Sequence, residues 1–278
     1  MSLGVFLAVL GAAFLHALWN ALIKLGTSKV GGMVILSIVE VPIGLVVIAF
    51  TDAIDRAAVP WVIAAGCTHF AYKFFLTYAY DRGDLSRVYP IARGAAPMIV
   101  ALFGAVFLAD AVTGRQYVAI AVLAAGILLM AKGVFASGED RRLLPFAVGS
   151  ACATATYTLI DGLGARISGV PSAYVAWVFV ADGCFFTLGM LALRGWDVIP
   201  RNWQAWRMGA LASTASYGAN AVSIWAMTFA PIAVVAALRE TSILFAVLIG
   251  WLAFGEKMTG EKALAALVIV TGVILTRI

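Results

Sequence analysis

Residues 239–272 read RETSILFAVLIGWLAFGEKMTGEKALAALVIVTG, and residues 93–126 read RGAAPMIVALFGAVFLADAVTGRQYVAIAVLAAG. The second stretch is an earlier version of the first. A shift of 146 takes Arg93 to Arg239, Gly104 to Gly250, Asp110 to Glu256, Thr113 to Thr259, Gly114 to Gly260 and Gly126 to Gly272. Each version is an apolar run that begins near an arginine, a short turn with a carboxylate, and a second apolar run. A bilayer-crossing helix needs about 20 mostly apolar residues. Each stretch is therefore read as the last two crossings of a duplicated membrane unit.

Working outward, the rest of the chain has the same texture. It has 278 residues, 63% hydrophobic and 12% charged, where a soluble domain carries roughly 25% charged residues. Mean hydropathy is +1.01. A soluble fold could not cover so much apolar surface, whereas a bilayer can. The net charge of +5 therefore belongs to loops that set orientation and does not indicate a nucleic-acid partner. Ten apolar spans are expected: 3–25, 30–50, 59–80, 86–109, 115–134, 143–165, 171–193, 204–228, 232–254 and 261–277. Met1–Leu25 lacks the basic start of a cleavable leader and is read as the first span. The apolar runs are continuous, so barrel strands are excluded. The fold class is all-α integral membrane.

The repeat extends to the first spans, at a shift of 138. There Ala17, Trp19, Leu25 and Gly26 meet Ala155, Tyr157, Leu163 and Gly164. A shift of 142 in the second spans pairs Glu40 with Asp182. The expected division is a five-helix repeat over 1–134, a second over 143–278, and a charged linker at 135–142. Five is odd, so the second repeat enters the bilayer from the opposite side. Inverted repeats place a binding site near the midplane, where the copies meet.

Charges inside the spans are costly, about 2.5–3.5 kcal/mol each at a helix centre, and usually face a partner or a wet cavity. They are Glu40, Lys73, Arg93, Asp182, Arg239 and Glu240. Arg93 lies between Pro90 and Pro97, which favours a bent or unwound helix. Arg93 and Arg239 are candidates to hold a substrate carboxylate through the bidentate guanidinium fork. The alternative is ion pairing with Glu40, Asp182 or Glu240. Glu40 and Asp182 would receive a substrate amine or a proton, or serve as paired structural charges. His69 and Lys73 share one face of the third span. His69 is either a proton shuttle or an interhelical hydrogen-bonding group. Polar stripes at His16, Asn20 and Lys24, at Thr154, Thr158 and Asp161, and at Ser213, Ser216, Tyr217 and Asn220 suit a water-lined cavity or interhelical hydrogen bonds. Trp19, Trp177 and Trp225 lie well inside spans, as ligand platforms or packing groups. Trp61, Trp196, Trp203, Trp206 and Trp251 read as an interfacial belt. Cys67, Cys152 and Cys184 read as small buried residues. No metal-ligand spacing is present, and no cofactor is expected.

The opening His16-Ala-Leu-Trp19-Asn20-Ala-Leu-Ile-Lys24 resembles that of EamA-type transporters, as do the two endings Gly104…Asp110…Thr113-Gly114…Gly126 and Gly250…Glu256-Lys257…Gly260…Gly272. The order and duplication of these loose motifs make the chain similar, over its whole length, to ten-helix members of the drug/metabolite transporter superfamily. Relatives of this architecture include bacterial exporters of amino acids, aromatic ones among them. The resemblance implies a multi-pass carrier of the bacterial inner membrane. The small-multidrug branch uses a glutamate in its first helix, which this chain lacks, and no nucleotide-sugar motif is present.

The expected function is alternating-access export of small amphoteric solutes, most simply amino acids, with the two copies rocking about a midplane cavity and protons as a candidate driving ion. The alternative is a flippase-like carrier of an anionic lipid headgroup. No GxSxG, HExxH or paired-Asp motif supports an enzyme. Of the loop cations, Arg56, Arg115, Arg166 and Arg277 flank the terminal face and twelve flank the other. The positive-inside rule then places both termini outside, opposite to the usual picture of the family.

Overall fold

A computed structural model describes residues 1–26, 28–80, 96–108, 110, 112–135, 144–255 and 258–277. The helices are α1 (Leu3–Leu25), α2 (Lys29–Ala49), α3 (Val59–Tyr80), α4 (Ala96–Phe107), α5 (Gly114–Phe135), α6 (Leu144–Ile167), α7 (Pro171–Arg194), α8 (Trp203–Met227), α9 (Ile232–Arg239), α10 (Ser242–Phe254) and α11 (Gly260–Leu275). No strand occurs among the described residues. Arg93 and residues 136–142 of the charged linker lie outside the described residues.

Local chemistry explains the helix starts. Ser2, Ser28 and Asn202 accept N–H bonds from Val5, Gly31 and Ala205 as N-caps. The repeated threonines have the same task in both copies. Thr113 Oγ1 accepts from Gln116 N while Gln116 Oε1 accepts from Thr113 N, closing a capping box on α5. Its counterpart Thr259 caps α11 through Lys262 N.

α1, α2, α7 and the α9–α10 pair are long and apolar enough to cross a bilayer on those grounds alone. α3, α6 and α8 fall short because they carry the polar residues of the interior: His69 and Lys73, Thr154, Thr158 and Asp161, and the serines and asparagine of α8. Outward faces are apolar, with Phe50 86% and Leu252 73% exposed, as a lipid-facing surface requires.

The expected ninth span is interrupted. Glu240 and Thr241 leave the α-helical pattern, their N–H groups donating three residues back to Ala237 O (3.1 Å) and Leu238 O (3.0 Å). This short tight turn separates α9 from α10 directly after Arg239.

Close approaches between helices show how the copies are related. A methyl placed on Gly126 would lie 2.7 Å from Ile269 Cγ1, and one on Gly272 would lie 2.6 Å from Leu123 Cγ. Gly272 and Ile269 are Gly126 and Leu123 shifted by 146, so this is one contact seen from both copies. Likewise a methyl on Gly44 would lie 2.7 Å from Ala176 O and 2.8 Å from Val180 Cγ2. One on Gly183 would lie 2.6 Å from Ser37 O and 2.7 Å from Val41 Cγ2. Here the shift is 139. In both pairs the numbers run in opposite directions, so α5 is antiparallel to α11 and α2 to α7. Reciprocal contacts of this kind define a two-fold axis perpendicular to the helices. For bilayer-crossing helices that axis lies in the membrane plane.

This register corrects the expected pairing of Glu40 with Asp182. At a shift of 139 the counterpart of Glu40 is Phe179, and that of Asp182 is Ile43. Backbone approach at the glycines, not acid matched to acid, sets the alignment.

The packing interleaves the two copies. The closest partners of α1 and α3 are α8 and α6, each from the other copy; α2 with α8 mirrors α3 with α7, and α1 with α10 mirrors α4 with α6. The helices can thus be grouped into two mixed bodies: α1, α2, α8, α9 and α10, and α3, α4, α6 and α7. The antiparallel pair α2–α7, packed as closely as α1–α8, joins them, and α9 also meets α4.

Candidate functional site

The two bodies meet around a buried polar chamber. From the first come His16 and Trp19 (α1), Glu40 (α2), and Ser216 and Asn220 (α8). From the second come His69, Tyr72 and Lys73 (α3), Tyr157 (α6), and Phe179 and Asp182 (α7). The cavity left between these side chains is about 10 Å³, room for no more than about one water. A solute can enter only if the surrounding helices move apart.

At one side Lys73 is held by three acceptors. Its Nζ lies 2.6 Å from Glu40 Oε2, 2.7 Å from Asp182 Oδ2 and 2.9 Å from Ser37 Oγ. Ser216 Oγ donates to Glu40 Oε1 at 3.1 Å. One turn earlier on α3, His69 Nε2 donates to Asp161 Oδ2 at 2.8 Å, and its ring stacks on Tyr157 with centroids 4.2 Å apart. On the far side of Tyr157 is Arg239, 4% exposed. Its guanidinium donates to Tyr157 Oη (3.3 Å) and Asn220 Oδ1 (3.4 Å) and faces the Tyr157 ring at 5.8 Å. Asn220 in turn donates to Ser216 O at 3.0 Å. The contacts thus run from Lys73 through Glu40, Ser216, Asn220, Arg239 and Tyr157 to His69, and α3 itself, which carries both His69 and Lys73, closes the ring.

The two cations differ in one respect. Glu40 and Asp182 both pair with Lys73, and Arg239 has no carboxylate partner among the described residues. Buried charge is normally paired. Arg239 also sits in the last turn of α9, where the helix dipole favours a cation, beside the break at Glu240–Thr241. Half-helix ends of this kind carry sites in other carriers. A break was expected at Arg93, from its prolines, and that residue lies outside the described residues. One is observed at its repeat mate, where no proline or glycine announces it.

The other expected residues fall in different places. Asn20 is buried one turn from His16, to whose carbonyl it donates at 2.8 Å. Tyr217 packs edge-on against Phe179, with centroids 5.0 Å apart, behind the chamber wall. Thr158 donates to Thr154 O at 2.7 Å within its own helix, away from the chamber. Trp19 is buried, whereas Trp177 and Trp225 are 39% and 40% exposed and face outward. Cys67 and Cys152 are exposed rather than buried. Ser37 and Tyr157 were not singled out as site residues. Tyr157 was visible only as the repeat mate of Trp19, and both prove to line the chamber.

A second polar cluster joins the copies near the terminal face. Arg166, ending α6, makes a fork with Asp110 (2.6 and 3.2 Å) and donates to Met227 O (2.9 Å) and Ala230 O (3.1 Å). Asp110 Oδ2 also accepts from Ile232 N, at the start of α9, at 2.8 Å.

An all-helical membrane fold, a two-fold relation between halves and a closed polar chamber on the axis define the polytopic carrier class. The EamA-like transporter family model matches residues 142–278. That part of the chain is an EamA-like domain, and members of that family are membrane transporters of the drug/metabolite type, not enzymes. A protein of known crystal structure shares the fold, with a TM-score of 0.76 and 19% identity, over 99% of this chain and 98% of its own. No curated protein matches the sequence.

Proposed function

We propose that this transporter moves small amphoteric solutes, most simply amino acids, out across the bacterial inner membrane by alternating access at the chamber. Arg239 carries the reading: it is a buried guanidinium whose nearest groups are a phenol and an amide, and a solute carboxylate completes its pairing. The acidic wall at Glu40 and Asp182 receives the solute's ammonium. Ser216 and Asn220 are one helical turn apart, about 6 Å of rise, and link the two ends of the site. That separation suits a zwitterion. The mixed bodies identified above are the moving parts.

The test is counterflow and efflux of a radiolabelled amino-acid panel in proteoliposomes of the folded protein. Saturable movement of at least one amino acid is expected. Failure of every amino acid to move in either assay would sink the proposal.

A further inference from the structure

Resting on that reading, we infer that Lys73 is a tethered stand-in for the solute's ammonium group. In the empty carrier it fills the socket formed by Glu40, Asp182 and Ser37. In the loaded carrier the solute's own ammonium takes its place. The protein can then turn over whether loaded or empty, and so performs net transport rather than strict exchange.

The socket is complete for one ammonium. Lys73 Nζ donates to Glu40 Oε2 at 2.6 Å and to Ser37 Oγ at 2.9 Å, and forms an ion pair with Asp182 Oδ2 at 2.7 Å. A lysine ammonium carries three N–H donors. A primary ammonium on a free solute has the same three donors. Lys73 reaches this place on a flexible four-carbon stem from α3, whereas the acceptors belong to α2 and α7, the antiparallel pair on the two-fold axis. The acceptors stand on short side chains close to their helices, and the cation is retractable.

The socket also spans the mixed bodies. Glu40 belongs to one, Asp182 and Lys73 to the other. With no cation, two carboxylates would face each other across the surface along which the bodies move, in a medium that screens little. Such a carrier would reorient only when loaded. A built-in cation removes that restriction. Arg239 cannot substitute, because it lies at the other end of the ring, on Tyr157 and Asn220.

The experiment compares, in the same proteoliposomes, net efflux of a transported amino acid into solute-free buffer with exchange against the same amino acid outside. In the wild type the two rates are expected to agree within about threefold; in Lys73→Ala, net efflux should fall at least about tenfold below that variant's own exchange rate. External ethylammonium should restore it, and Lys73→Arg, which still pairs both acids, should resemble the wild type. Wild-type efflux more than about tenfold slower than exchange overturns the inference while leaving the carrier reading intact. So does a folded Lys73→Ala whose efflux keeps pace with exchange. If that variant does not fold, the wild-type ratio and Lys73→Arg decide. Loss of both modes in the folded wild type overturns the carrier reading and this inference with it.

Discussion

Replacing Arg239 with glutamine separates a ligand from a strut. A strut split in two leaves a buried charge unpaired, at a cost of about 3–5 kcal/mol. Arg239 has no carboxylate to strand among the described residues. Its bonds, 3.3 and 3.4 Å, are longer than the usual charge-assisted length of about 2.7–2.9 Å. Glutamine retains a donor and removes a buried cation, so folding should change little. A melting temperature within about 4 °C of the wild type is expected in detergent, since about 1 kcal/mol shifts a chain of this size by 2–4 °C. Transport should respond differently. Loss of a charge-assisted bond to a carboxylate costs about 1.5–3 kcal/mol, which raises KM roughly 10- to 150-fold. Thermal melts followed by dye or fluorescence, together with initial-rate efflux over a substrate series, measure both. An unchanged KM, or a melting temperature that falls as far as in Glu40→Gln, would refute the assignment.

Glu40→Gln leaves Lys73 with one anion and should lower the melting temperature by roughly 10 °C, read in the same assay. Gly126→Val pushes a side chain against the Ile269 backbone and should cost about 1–3 kcal/mol; Gly272→Val should match it, and Gly11→Ala, with nothing within 4 Å, should not. Asp110→Asn weakens the fork to Arg166 and the contact with the α9 start, and should cost about 1–2 kcal/mol while increasing labelling of a cysteine placed at Ala230. Reporter fusions at Glu139 and at Ile278 should fall on opposite sides of the membrane; the same side for both would contradict an odd number of crossings per copy.

How much was legible in the sequence depends on the kind of signal. The shift of 146 was carried by Gly126, Gly272 and the capping threonines, residues whose backbone tasks leave few substitutes, and the α5–α11 contact has the same register. The shift of 142 matched Glu40 to Asp182 because both are acids. Yet their shared location reflects Lys73, while Gly44 and Gly183 set the helix alignment. His69 and Lys73 were placed on one face by spacing alone. Their partners come from three different helices, and no spacing rule reaches across them. The turn after Arg239 was missed because neither proline nor glycine marks it; the tight hydrogen bonds at Glu240 and Thr241 are made within a wholly buried segment. Trp177 and Trp225 were indistinguishable from Trp19 by depth, since position along a span does not say which side of the helix meets lipid.

The interleaving of the copies has a consequence for biogenesis. The main partners of α1 and α3 lie in the other copy, so the first five crossings enter the lipid before the chain that will cover them exists. At ribosomal rates of about 5–20 residues per second, the hundred or so residues between Lys73 and Asp182 take several seconds or more to appear. During that wait Lys73 can neutralise itself against Glu40, which is already inserted, whereas His69 has no Asp161 to meet. The newborn half is thus electrically tolerable but sterically unfinished. Severing the chain between the copies should therefore yield fragments that accumulate only when made together.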